Sequence, residues 1–147
     1  MEELIGVRED ASLLPPGVER PRTIMLVEDE STVRNLLREV LQRCGYRVLA
    51  CGNPEEGLNT CRNHDGPIDL LLTDVVMPGM NGREMAERSS AMLPGLHIIF
   101  MSGYSEQVLV QDGELDPRIE YLQKPFSLQM LRNRLVRVLG EGECAVQ

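Results

Sequence analysis

The chain has 147 residues, 42% of them hydrophobic and 26% charged, enough for one globular domain with a real core. A net charge of −8, no Trp and 3% aromatic content exclude a general nucleic-acid binder, which needs a basic face and stacking side chains. No run approaches the apolar length of a membrane span, and Met1-Glu2-Glu3-Leu4 lacks the layout of a signal peptide, so no membrane contact and a cytoplasmic location are expected.

Residues 1–22 contain Pro15, Pro16 and Pro21 without sustained periodicity and read as a flexible leader or linker. Thr23–Val27 is a short apolar strand that runs into Glu28-Asp29. Ser31 is the expected N-cap of a helix whose apolar positions Val33, Leu36, Leu37, Val40, Leu41 and Cys44 form one face. Gly45 stops it, and Tyr46–Cys51 is the second strand. Asn53-Pro54-Glu55-Glu56 opens the next helix, with Asn53 as N-cap, Pro54 at the first position and Glu56 as reciprocal cap partner. Gly66-Pro67 breaks the chain before a third strand, Ile68–Thr73, which delivers Asp74.

A turn-rich stretch with Pro78, Gly79 and Gly82 follows Asp74, and Asn81 with Glu84 forms a second capping box for a helix to about Met92. His97–Met101 is a fourth buried strand ending on Ser102-Gly103. A weakly patterned helix is expected from Ser105 to about Gly113. Ile119–Leu122 is the fifth strand, ending near Lys124-Pro125, and Ser127 caps a last helix with apolar Leu128, Leu131, Leu135 and Val138. Residues 140–147 read as a flexible acidic tail, leaving 23–139 as the domain. Cys44, Cys51, Cys61 and Cys144 form no CxxC pair, and His64 and His97 are isolated, so zinc-site spacing is absent. Cys44 and Cys51 fall where buried, reduced thiols are expected.

Short apolar strands alternating with helices imply an α/β fold with a doubly wound parallel sheet, most simply five strands in the order 2-1-3-4-5 with helices on both faces. No GxGxxG follows the first strand, which disfavours dinucleotide binding. In a parallel sheet the C-terminal strand ends share one edge, so Glu28, Asp29, Asp74, Ser102 and Lys124 converge there. Singly, each has an ordinary reading: Asp74 as a strand or turn cap, Lys124 as a solvated charge. Of the 15 basic residues, however, only Lys124 is a lysine, which points to a site needing a compact ammonium. Two carboxylates about 4 Å apart repel by roughly 4 kcal/mol at an effective dielectric of 20. A hard divalent cation relieves that repulsion, and an Asp carboxylate beside such a cation can act as nucleophile toward a phosphoryl group.

Val27-Glu28-Asp29-Glu30, Asp74-Val75-Val76-Met77-Pro78-Gly79-Met80-Asn81-Gly82, Met101-Ser102-Gly103 and Lys124-Pro125-Phe126 together resemble the receiver domain of two-component response regulators over 23–139. The resemblance implies a flavodoxin-like fold, Mg²⁺ (or Mn²⁺), and phosphotransfer from a sensor histidine kinase or phosphotransfer protein to Asp74. It implies Glu28, Asp29, Asp74 and the Val76 backbone carbonyl as metal ligands, with Lys124 and Ser102 completing the catalytic set. Ser102 and Tyr121 take the switch positions, and a downstream protein partner is expected on about 105–139. Such a domain is no enzyme beyond its own phosphorylation and dephosphorylation. Val76 and Tyr104 occupy positions that influence loss of the phosphoryl group, and imply slow self-dephosphorylation. Leu122-Gln123-Lys124-Pro125-Phe126 and the Pro-containing leader are similar to receivers of hybrid sensor kinases; a standalone regulator is the other possibility. The alternative function is a receiver-fold interaction module that takes no phosphate, but such modules usually lose the acceptor, an acid or the lysine, and this chain keeps all three. A dedicated aspartyl phosphatase or phosphotransferase is disfavoured by Val76, where a second acid is common.

Overall fold

A computed structural model describes residues 21–103 and 118–140. Within them, β1 (Thr23–Val27), α1 (Ser31–Arg43), β2 (Arg47–Cys51), α2 (Pro54–Asn63), β3 (Leu70–Asp74), α3 (Gly82–Met92), β4 (His97–Ser102), β5 (Ile119–Gln123) and α4 (Leu128–Leu139) follow one another. The five strands are parallel, in the order β2-β1-β3-β4-β5. The expected doubly wound sheet is therefore present. The helix expected from Ser105 to Gly113, Tyr104, Cys144 and most of the leader and tail lie outside the described residues.

The core has two layers. On one face Met25, Val27, Leu71 and Phe100 pack with Leu58 and Cys61 of α2 and Met85 of α3. On the other, Ile24, Leu26, Leu70, Leu72 and Ile99 pack with Leu37 and Leu41 of α1 and Leu131 and Leu135 of α4. β1 and β3 are central and covered on both sides, which is why they are uninterrupted apolar runs before Thr73 and Asp74. α2 approaches β1 closely at Gly57, where a Cβ would lie 2.5 Å from Met85 Cε and 3.1 Å from Val27 Cγ2. At the base of the sheet, Arg47 N–H donates to the Arg22 carbonyl at 2.9 Å and the Arg22 guanidinium lies 3.7 Å from Asp69, so Arg22 is tied to the sheet.

Several local expectations need correction. The N-cap of α1 is Glu30, without a side-chain cap bond; Ser31 is the first helical residue. Asn53 and Asn81 do cap, accepting from Glu56 N–H and Glu84 N–H at 2.8 Å each. Neither reciprocal bond forms as expected, since Glu56 Oε1 takes the Gly52 N–H at 2.5 Å and Glu84 pairs with Arg88. Tyr46 and Ile68 are buried but precede their strands. Leu36 and Leu128 are about half exposed, and Val33 lies at the margin, so the buried stripes of α1 and α4 are narrower than the apolar pattern. Cys44, Cys51 and Cys61 are buried thiols, and burial pushes the Cys51 and Cys61 thiols above their ordinary value.

Candidate functional site

Parallel pairing brings four strand ends to one edge. β1 stops at Val27, and Glu28 N–H donates to the Cys51 carbonyl at 3.1 Å, extending the β1–β2 pairing by one bond. Glu28 is therefore held like a strand residue and is buried, whereas Asp29 is exposed in the loop. Asp74 ends β3 in register with Met101, and Val75 N–H continues the ladder to the Met101 carbonyl at 3.2 Å. Ser102 ends β4, and its carbonyl accepts from Lys124 N–H at 2.7 Å, which fixes Lys124 immediately beyond β5. The Lys124–Pro125 peptide bond is cis.

The side chains converge as the sequence predicts. One carboxylate oxygen from each of Glu28, Asp29 and Asp74 lies within 4.8 Å of the others. Lys124 Nζ approaches Asp74 Oδ1 to 2.5 Å, with the carboxylate 7% and the ammonium side chain 42% exposed. This contact is an ion pair without hydrogen-bond alignment. Asp74 Oδ1 is thus partnered by charge alone, while Glu28 Oε1 and Ser102 Oγ, both buried, have no hydrogen-bond partner among the described residues. Leaving buried polar atoms unpaired costs about 1–3 kcal/mol each. Two such atoms at one sheet edge mark a site built for something other than stability.

The electrostatics follow from this crowding. Burial, and then hydrogen bonding to the neighbouring Asp74, push the Glu28 carboxyl up from 4.5 to about 7. The Asp74 charge adds to the rise, while the Glu30 N–H (3.1 Å from Glu28 Oε2) and the Lys124 ammonium oppose it. The crowding of like charge thus favours the protonated form of Glu28.

Val76 lies two residues past Asp74 with its side chain 52% exposed. Tyr121 lies within β5, two residues before its last, Gln123. It is paired in register with Phe100, and the two rings stack with centroids 5.6 Å apart. Phe100 and Ser102 alternate onto the same face of β4, so Tyr121 and Ser102 share that face. Burial moves the Tyr121 hydroxyl above its ordinary value.

Three supporting residues carry no obvious signal in the sequence. Arg34 Nη1 of α1 donates to the Glu28 carbonyl at 2.7 Å. The Thr73 hydroxyl donates to the Asp74 carbonyl at 3.1 Å. Gly82, legible only as a turn residue, sits where a Cβ would lie 1.9 Å from the Asp74 carbonyl oxygen, and its N–H donates to the Val75 carbonyl at 2.7 Å. The first residue of α3 thus packs directly on the backbone of Asp74 and Val75.

A doubly wound parallel sheet with an acidic pocket, a buried Asp and a Lys at its C-terminal edge defines a class of phosphoryl-accepting signalling domain. The family model of the response regulator receiver domain matches residues 24–136, and the chain belongs to that family. It is 35% identical over 118 residues to the response regulator receiver protein CpdR of Brucella abortus, covering 80% of this chain and 97% of that one. The sensor kinase CckA of the same organism is 34% identical over 121 residues, which are 82% of this chain and only 13% of the kinase. The crystal structure of the receiver domain from the hybrid histidine kinase CckA superposes with a TM-score of 0.67 at 30% identity, covering 80% of this chain and 98% of that domain. The chain is a receiver domain of two-component signalling, a signalling module rather than a classical enzyme. No described helix is long and apolar enough to cross a membrane.

Proposed function

We propose that Asp74 is the phosphoryl acceptor of this receiver, that the domain spans 23–139, and that the donor is a phosphohistidine of a sensor kinase or phosphotransfer protein in the cytoplasm. One observation carries the assignment: the buried Asp74 carboxylate, 2.5 Å from Lys124, shares its pocket with two further carboxylates within 4.8 Å.

Hard oxygen donors in this number suit Mg²⁺ or Mn²⁺, and Glu28 Oε1, buried without a hydrogen-bond partner among the described residues, fits such an ion. Glu28, Asp29, Asp74 and the Val76 carbonyl would hold it. Once bound, it supplies positive charge against the carboxylates and the phosphoryl oxygens. Glu28 would ligate it as the carboxylate, any proton it carries passing to solvent. An Asp74 oxygen forms a bond to phosphorus while the phosphorus–nitrogen bond to the donor imidazole breaks, the electron pair staying on the nitrogen. The Lys124 ammonium then turns from Asp74 to a phosphoryl oxygen, and the unpartnered Ser102 hydroxyl donates to another. Movement of Ser102 opens space on the β4 face that it shares with Tyr121, shifting the population toward a conformation read by a downstream protein on about 105–139.

The test is incubation with Mg²⁺ and a small phosphodonor, followed by intact mass. Wild type gains one phosphoryl group, and Asp74→Asn gains none. Absence of any gain across several donors would favour an interaction module that takes no phosphate.

A further inference from the structure

Glu28 is held at three points. Its N–H donates to the Cys51 carbonyl, its Oε2 accepts from Glu30 N–H, and its carbonyl accepts from Arg34 Nη1 at 2.7 Å. The first two bonds come from backbone. The third comes from the Arg34 side chain, and it ties the loop between β1 and α1 to the helix that follows.

The position of Arg34 is costly in itself. It lies in the first turn of α1, where unpaired N–H groups make the helix end positive and a cation is unfavourable. No acidic residue of that turn offsets it. The structure also makes room for the side chain. A Cβ at Gly52 would lie 3.2 Å from Arg34 Nη1, closer than its neighbours accept without moving. Glu56 Oε1, bonded to Gly52 N–H, would stand 3.6 Å from the same Cβ. The end of β2 is therefore bare where the guanidinium crosses it.

We propose that Arg34 is a positioning residue of the cation pocket: seated over Gly52, it holds the Glu28 carbonyl, and through that backbone aims the Glu28 carboxylate at the divalent cation. This rests on reading the pocket as a cation-dependent acceptor. The guanidinium bonds to a carbonyl and not to a carboxylate, so it orders the ligand without neutralising it.

Charge and position make opposite predictions. Removing a positive side chain near the pocket should by itself tighten cation binding, whereas losing a support of a ligand weakens it, typically about tenfold or more. The experiment titrates the full chain with Mn²⁺ and reads the free ion by its paramagnetic resonance signal. Arg34→Met should bind about tenfold more weakly. Arg34→Lys, which keeps the charge but loses the planar fork, should also weaken binding. Gly52→Ala, which displaces the guanidinium, should weaken it by a smaller step, and carries the test if Arg34→Met does not fold. Unfolding midpoints in EDTA, compared across the variants, separate loss of fold from loss of the ion. Unchanged or tighter Mn²⁺ binding in folded Arg34→Met or Gly52→Ala overturns the proposal alone. A wild-type chain that binds no Mn²⁺ overturns it together with the cation reading beneath it.

Discussion

Glu28→Gln should abolish an unusual pH dependence of stability in the metal-free protein. In the unfolded chain Glu28 titrates at its ordinary value of 4.5, and in the folded pocket at about 7. Below pH 4.5 both states carry the proton and the group contributes nothing. Between 4.5 and about 7 the unfolded chain releases its proton while the folded chain retains it, so stability falls as pH rises. Above about 7 the folded carboxyl is ionised against burial and Asp74, and the cost is fully developed. At about 1.4 kcal/mol per pH unit, that cost is on the order of 3 kcal/mol, a large share of the stability of a small domain. The sign is opposite to that of carboxylates held in ion pairs, which lose stability on acidification. Urea unfolding in EDTA at intervals from pH 4.5 to 8 measures the slope in wild type and in Glu28→Gln, and the difference isolates this group. Excess Mg²⁺ should cancel the loss in wild type at pH 8 and act less on the variant. If the two proteins show the same slope in EDTA, Glu28 is not the proton reservoir of the pocket and the reasoning fails.

Two further substitutions probe the frame of the site. Gly82→Ala places a Cβ 1.9 Å from the Asp74 carbonyl oxygen, so either α3 or the Asp74 backbone must move; a loss of about 1–3 kcal/mol in urea unfolding is expected, with weaker Mn²⁺ binding, and an unfolding midpoint equal to wild type would show that the turn yields freely. Ser102→Ala removes a buried hydroxyl that has no partner among the described residues, so the unphosphorylated protein should lose no stability or gain up to about 1 kcal/mol, while phosphoryl uptake slows; a loss beyond about 1 kcal/mol would mean that the hydroxyl is bonded in the resting state.

The local pattern of residues determined the strands, the helices that follow them and the residue types at each strand end. These are legible because apolar runs, Asn caps and Gly stops act within a few residues. The parallel order of the sheet was also accessible, since right-handed crossovers leave few ways to connect such elements. From that order, the meeting of Glu28, Asp29, Asp74, Ser102 and Lys124 at one edge follows without coordinates. Ser31 shows where local rules fail, because it is the better capping residue and yet Glu30, without a side-chain cap bond, stands at the N-cap. Only the tertiary structure decided that Leu36 and Leu128 stay exposed, because a helix buries the part of its apolar stripe that its neighbours reach. It alone decided that Gly82 abuts Asp74 and that Arg34 grips the Glu28 carbonyl, contacts set by the docking of α3 and α1 on the sheet. It also sets the electrostatic surroundings of Glu28. A carboxylate in sequence is an ordinary acid, and the Glu28 carboxyl is pushed up only where burial and Asp74 act on it together.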